Sequence, residues 1–353
     1  MGIQVCVFEG DGAAPEAVSP VIQALNDLSD IEFVHPPIEE FTDQLHNRIV
    51  PTQIEEEIQQ ADTVFFGAAS STHVPIIRFL RWEYGGGTFA NVRPIQYLPG
   101  ANSPLKEPQG IDYTIVRENL FGLYGGREGP LADLKALYAE NDTSTALEDL
   151  QPGAYALRVM PEQSLKNVAD FLHTLANKFS ENGSVTVTSA TKSNVLPETD
   201  GLFDSIIEDA VVDNTAITFE HLHADDVAQR LVTDPERFDI IVAPNFVGDF
   251  LSDLGAGTIG GVGLAPSGCY GADVAYFEPV HGTAPDIVGK DIINPTATLL
   301  SAAMMLEYLD KPSLAASITS AIKHTYENGT HLTPDQGGTA STTEFVEVVV
   351  SNI

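Results

Sequence analysis

Short apolar runs alternating with helical patterns decide what this chain can fold into. Val5-Cys6-Val7-Phe8, Thr63-Val64-Phe65-Phe66-Gly67, Tyr113-Thr114-Ile115-Val116, Val185-Thr186-Val187-Thr188 and Asp239-Ile240-Ile241-Val242-Ala243 have the length and residue types of buried strands. A helical pattern runs through Pro15, Val18, Val21, Ile22 and Leu25, and others cover 164–180 and 296–309. Strands that alternate with helices pair side by side in one direction, so the expected fold class is α/β with a substantial parallel sheet. Residues 126–155 break that rhythm with Gly129-Pro130 and Gln151-Pro152-Gly153, and read as an arm.

Charge narrows the function. The 353 residues hold 50 Asp and Glu against 17 Lys and Arg, a formal net charge of −33. Such an excess repels phosphate backbones and anionic membrane surfaces, which argues against nucleic-acid or membrane partners. With 43% hydrophobic residues the chain still has material for a packed core. The acids are scattered, so they form a solvated skin, and a skin this acidic suits a salt-rich cytoplasm. No charged-then-apolar leader opens the sequence and no apolar stretch reaches membrane-spanning length, so a soluble cytoplasmic protein is expected. Cys6 and Cys269 are too few for a disulfide framework and too isolated for a zinc site.

One motif misleads. Gly255-Ala256-Gly257-Thr258-Ile259-Gly260 matches a dinucleotide fingerprint, which requires a strand before it. Phe250 to Leu254 has helical spacing instead. The Rossmann reading is rejected, and a flexible glycine-rich turn is expected.

The scarce basic residues carry more information. Arg78, Arg81, Arg93 and Arg117 lie at strand ends and loops, and Lys192 follows a strand. Guanidinium forks converging on one cleft grip a small polycarboxylate. Asp249 and Asp253 stand four apart and would share one helix face, where two like charges call for a cation such as Mg²⁺ or Mn²⁺.

The ensemble resembles the β-decarboxylating dehydrogenases. The resemblance is carried by Gly10-Asp11-Gly12 with Pro15-Glu16, Phe89-Ala90-Asn91-Val92-Arg93-Pro94, and Val116-Arg117-Glu118-Asn119 through Tyr124. Lys192-Ser193-Asn194-Val195-Leu196, Gly248-Asp249 through Ser252-Asp253-Leu254, and Glu278-Pro279-Val280-His281 through Ile287 continue it in family order. That family oxidises isocitrate, homoisocitrate, 3-isopropylmalate, D-malate or tartrate.

The resemblance implies two α/β domains sharing a large sheet, with the cleft between them. Residues 1–94 and 247–353 would form the cofactor-binding domain, and 95–246 the substrate and dimerisation domain. It also implies a homodimer with shared active sites, a tetramer remaining open. Arg81, Arg93 and Arg117 would bind substrate carboxylates. Asp249 and Asp253 would hold the metal with Asp225 of the other subunit, preferred over Asp226. Lys192, also from the partner, and Tyr124 would be the proton-transfer pair.

For the cofactor, the resemblance assigns the loop His281, Gly282, Thr283, Ala284, Pro285, Asp286 and Ile287, with Asn294 at the adenine. Asp286 would accept from both ribose hydroxyls and repel a 2′-phosphate, so NAD is expected. Arg78, three residues before Arg81, would pair with a third carboxylate on a helix face they share. Homoisocitrate or isocitrate is therefore the favoured substrate, ahead of 3-isopropylmalate and then D-malate or tartrate. A non-catalytic regulatory paralogue is the rival of a different class.

Overall fold

The computed structural model describes residues 2–133, 150–181 and 183–353. The chain opens with strand β1 (Gln4–Gly10), helix α1 (Ala14–Leu28) and β2 (Glu32–Val34), then α2 (Thr42–His46) and α3 (Thr52–Gln60). It continues through β3 (Thr63–Ala68), α4 (Val74–Trp82), β4 (Ala90–Gln96), β5 (Asp112–Glu118) and a ribbon of β6 (Glu128–Pro130) with β7 (Ala154–Ala156). The middle holds α5 (Glu162–Ser180), β8 (Val185–Thr191), α6 (Thr199–Val211), β9 (Ile217–His223) and α7 (Ala224–Thr233). Next come β10 (Ile240–Ala243), α8 (Asn245–Ile259), β11 (Pro266–Tyr270) and β12 (Ala275–Pro279). Helices α9 (Thr296–Tyr308), α10 (Pro312–Asn328) and α11 (Thr342–Ser351) close the chain.

Ten strands form one sheet in the order β2-β1-β3-β12-β11-β4-β5-β10-β8-β9. Two parallel wings, β2 to β12 and β5 to β9, meet at an antiparallel seam where β11 pairs with β12 and with β4, and β4 with β5. The fold is the α/β class read from the sequence, and it is not a Rossmann arrangement. The boundaries expected at Pro94 and Val247 lie inside β4 and in the first turn of α8, so both elements run through them. The ends of the 126–155 arm pair antiparallel as β6 and β7; 134–149 lie outside the described residues.

Strand alternation distributes the core. Val5 and Val7 of β1, Phe65 of β3, Ile115 of β5 and Ile241 of β10 all feed one continuous core on a single face of the sheet. Helices α8 to α11 cover that face. On the other face Cys6, Phe8 and Phe66 pack with α3 and α4 at one end. Val116, Ile240 and Val242 pack with α5 and α6 at the other. Both cysteines are buried and free.

The glycine-rich turn expected at 255–260 is corrected. Residues up to Ile259 continue α8, and only Gly260 leaves it, at φ 122°. Gly255 is there for closeness: a Cβ would stand 2.6 Å from the Tyr113 hydroxyl, so the helix rests directly on β5. Small side chains that let a helix approach a sheet produce the same letters as a phosphate-binding turn.

Candidate active site

The site grows from the seam. Asn91 of β4 lies opposite Arg117 of β5, and Arg93 follows on the same face of the pleat. Ala243, the last residue of β10, is in register with Arg117, so α8 begins beside that guanidinium and crosses the seam. Gly248 makes the approach possible, because a Cβ there would stand 2.8 Å from Cβ of Arg117.

Asp249 and Asp253 then project one turn apart toward the arginines. Arg117 Nη1 pairs with Asp249 Oδ1. Arg93 Nη1 lies 3.5 Å from Asp249 and 3.6 Å from Asp253, and donates to Ser252 Oγ at 2.6 Å. Burial, reinforced by the charge of Arg93, pushes the Arg117 guanidinium down to about 10. Asp253 stands at the mouth; desolvation holds its carboxyl above the usual range, with Arg93 opposing and Asp249 adding to the effect.

Tyr124 reaches the same point from the loop after β5. Its hydroxyl is 3.3 Å from Asp249 Oδ2, and its ring stands edge-on to Phe246 at 5.6 Å. Desolvation, followed by the charge of Asp249, raises the phenol above its ordinary value, so it is held as an acid. The loop itself is fixed by Glu118, a buried carboxylate that sequence reasoning passed over except as a motif letter. It accepts from the backbone N–H groups of Leu120 and Phe121 at 3.0 Å and from Ser164 Oγ at 3.3 Å.

Arg78 and Arg81 occupy α4, tied to the Tyr124 loop by the Trp82 indole N–H, which donates to the Leu120 carbonyl at 3.1 Å. Both guanidiniums lie over the Trp82 ring, at 5.1 and 5.5 Å. Arg81 faces inward, where burial opposes its charge and Tyr276 and Glu278 support it. Arg78 is exposed and has no acidic partner among the described residues.

Lys192 and Asp225 are placed elsewhere in the chain. Lys192 follows β8, its N–H donating to Asp200 Oδ2 at 2.7 Å, and its ammonium pairs with Asp225 in the first turn of α7. That hydrogen bond holds the Asp225 carboxyl below the usual range. Asp226 instead pairs with Arg230 at 3.0 Å. Among the described residues of one chain, no three acidic, His or Cys side chains gather as a metal group.

The loop from His281 to Asn294 lies beside the start of α1. Thr283 O accepts from Ala13 N at 2.8 Å, and Glu16 accepts from Gly289 N at 2.6 Å and Asp291 N at 2.7 Å. Burial lowers His281, whose Nδ1 meets the Gly282 carbonyl at 3.0 Å while its buried Nε2 has no partner. Ala284 is left-handed and Pro285–Ile287 forms a short turn presenting Asp286. Asn294 donates both amide hydrogens, to Asp335 and Tyr326, and its Oδ1 accepts from the Thr296 N–H. An open cavity of about 570 Å³ adjoins the loop, lined by Gly12, Pro15, Glu16, Val288 and Gly289 among others. Next to Gly12 in the chain, Asp11 accepts from Ser70 N, Ser71 N and His73 Nδ1, at 2.8, 2.9 and 2.9 Å.

This arrangement has close relatives. The sequence profile of the isocitrate/isopropylmalate dehydrogenases matches residues 4–349. The chain belongs to that family.

An isocitrate/homoisocitrate dehydrogenase of Thermus thermophilus is 39% identical to this dehydrogenase over 357 residues, covering 99% of this chain and 98% of the relative. A 3-isopropylmalate/3-methylmalate dehydrogenase of Methanocaldococcus jannaschii is 38% identical over 355 residues, with the same coverage. The crystal structure of isocitrate dehydrogenase from Methylococcus capsulatus has a TM-score of 0.82 at 27% identity and covers 99% of both chains. The dehydrogenase is therefore an oxidoreductase acting on a CH–OH group. Every substrate in those names is a malate substituted at C3, and the reaction is oxidative decarboxylation of such a malate. Among its described residues no helix is long and apolar enough to cross a membrane.

Proposed function

We propose that this dehydrogenase uses NAD and a divalent metal to decarboxylate a malate whose C3 substituent carries a third carboxylate, as in homoisocitrate or isocitrate. The observation that carries the reading is Arg78, exposed on α4 beside Arg81, stacked on Trp82 and unmatched by an acid among the described residues. A guanidinium covered by an isopropyl group would lose water and gain no partner, whereas a carboxylate supplies one. The identity to the Methanocaldococcus enzyme keeps 3-isopropylmalate as the second reading.

In this reading the active unit is a homodimer. Residues 1–94 and 247–353 form the cofactor-binding domain, and 95–246 the substrate and dimerisation domain. Arg81, Arg93 and Arg117 grip the two malate carboxylates. The donor set fits a hard cation: Asp249 and Asp253 supply oxygens a turn apart, and Asp225 of a second copy would complete them. Bound there, the metal supplies Lewis acidity that makes the C2 hydroxyl more acidic and polarises the later 2-oxo group. NAD, its ribose hydroxyls on Asp286 and its adenosine along His281–Asn294, supplies the acceptor for the C2 hydrogen. Lys192 of the second copy takes the hydroxyl proton, directly or through water. CO₂ leaves C3, and Tyr124, kept protonated by its surroundings, delivers a proton to that carbon.

The test is NADH absorbance with Mn²⁺ across homoisocitrate, isocitrate, 3-isopropylmalate, D-malate and tartrate, in high salt. Highest kcat/KM on a tricarboxylate is expected. A preference for 3-isopropylmalate would reject the third-carboxylate reading.

A further inference from the structure

Three arginines outside the site pair with carboxylates: Arg237 with Glu220 at 2.8 Å, Arg230 with Asp226 at 3.0 Å and Arg158 with Asp200 at 2.5 Å. The two arginines at the seam also reach carboxylates through Nη1, Arg117 at Asp249 and Arg93 at Asp249 and Asp253, but their other donors go to amides. Arg117 donates from Nε at 3.1 Å and Nη2 at 2.7 Å to Oδ1 of Asn245, and Arg93 donates from Nε at 3.1 Å to Oδ1 of Asn91. Both asparagines are buried, at 1% and 0% exposure.

Their amide orientations follow from chemistry, since a guanidinium only donates and so requires the carbonyl end. Asn91 turns its nitrogen to Cys269 Sγ at 3.1 Å. Asn245 leaves its buried nitrogen without an acceptor among the described residues, which is unfavourable. An aspartate of the same size would accept the same hydrogen bonds, more strongly, with no orphaned N–H. In a chain with 50 acids, the amide at this place needs a reason.

The reason we infer is charge: Asn245 and Asn91 are positioning residues that fix the planes of Arg117 and Arg93 without neutralising them, so that the site keeps two full positive charges for a polyanionic substrate. The repulsion between the two guanidiniums is tolerated for that purpose. Asp249, which both arginines reach, and Asp253, 3.6 Å from Arg93, are the acids assigned to the metal. Their charge would be shared with that cation when it is bound. The inference rests on the proposed reading of Arg93 and Arg117 as carboxylate-gripping residues.

Asn245→Asp and Asn91→Asp test it, with Asn245→Ala as a control that removes the fork and adds no charge. Substrate affinity is read as KM and, by calorimetry with Mn²⁺ and no NAD, as Kd. Each aspartate variant should melt at or above the parent temperature. Each should raise KM and Kd for the preferred substituted malate at least tenfold and leave KM for NAD within about twofold. Asn245→Ala should raise KM less than Asn245→Asp and lower kcat more. A residue that merely braces the fold would show unchanged substrate affinity in Asn245→Asp, and that result, or an equal KM in the alanine variant, overturns the inference. If Asn245→Asp does not fold, Asn91→Asp decides, and an unchanged KM there overturns it. A parent that turns over no substituted malate rejects the functional reading first, and this assignment with it.

Discussion

Lys192 pairs with Asp225 inside one chain, and no hydrogen bond or ion pair among the described residues joins either to Tyr124, Asp249 or Asp253. Within one copy the two halves of the proposed chemistry are thus not joined by a direct polar contact among the described residues. Lys192→Met and Asp249→Asn should each give an almost inactive enzyme. If the halves meet across a two-fold interface, mixing the variants after subunit exchange restores roughly a quarter of parental activity, since half the dimers are mixed and one site in each is intact. NADH formation after denaturation and co-refolding measures it. Absence of recovery in demonstrated mixed dimers rejects the shared site.

Tyr124 should act as an acid whose loss is felt in kcat. Tyr124→Phe is expected to lower kcat by about 10²–10⁴-fold, the range for a positioned proton donor. Because desolvation and Asp249 raise the phenol, its proton is retained past the ordinary tyrosine value of about 10, and parental kcat falls only above it. A Tyr124→Phe enzyme that keeps parental kcat would remove the residue from the mechanism.

Arg78→Leu should lower kcat/KM for the preferred tricarboxylate by about 10- to 100-fold while improving 3-isopropylmalate. The guanidinium already rests on Trp82, so the substitution removes charge more than it disturbs packing. Steady-state kinetics on both substrates decides. An unchanged preference ends the third-carboxylate reading.

Much of this was legible in the sequence. Five strand runs fall on β1, β3, β5, β8 and β10, because strands buried in a sheet are rich in apolar and β-branched residues. The patterns at 164–180 and 296–309 fall on α5 and α9. The strand character of β4 went unread because Asn91, Arg93 and Pro94 look like loop residues, and β11 because of Pro266 and Gly268. Asn91 and Arg93 are polar because β4 carries part of the site. The convergence of Arg93, Arg117, Asp249 and Tyr124 was available only through family order, since pairwise spacing says nothing of residues more than a hundred positions apart. The brackets that hold the site, Asn245 on Arg117 and Glu118 under the Tyr124 loop, carry no periodic signal, and neither does Glu16, which holds the 289–291 loop.

Asp11 should give a pH-dependent contribution to stability. Burial alone would raise its carboxyl, but His73 and the N–H groups of Ser70 and Ser71 outweigh that and hold it below the usual range. A depressed carboxylate stabilises the fold above its unfolded value of about 3.9, and the contribution is lost as pH falls toward the folded value. Asp11→Asn should therefore cost about 2 kcal/mol at pH 7, with the gap to the parent closing below about pH 5. Thermal melts of both proteins from pH 7 to pH 3 test it. A gap that widens in acid would contradict the network.

Salt should stabilise the enzyme. A net charge of −33 repels itself, and molar KCl shortens the screening length from about 10 Å at 0.1 M to about 3 Å. Melting temperature and activity should both rise between salt-free buffer and molar KCl. Full activity and an unchanged melt without salt would discard the halophilic reading.

The seam has a consequence for how the chain is made. Strand β3, translated within the first seventy residues, pairs on one side with β12 and packs on α9, and α1 packs on α9 and α11, all parts that leave the ribosome late. Strands β5, β8, β9 and β10 find their neighbours within the middle of the chain. During synthesis the middle can close while Val64 and Phe65 of β3 wait with an open strand edge, the kind of surface that recruits chaperones or aggregates. A ribosome-stalled chain ending before Ala275 would thus hold a protease-resistant centre and a cleavable beginning, and release of the remaining residues would protect both at once.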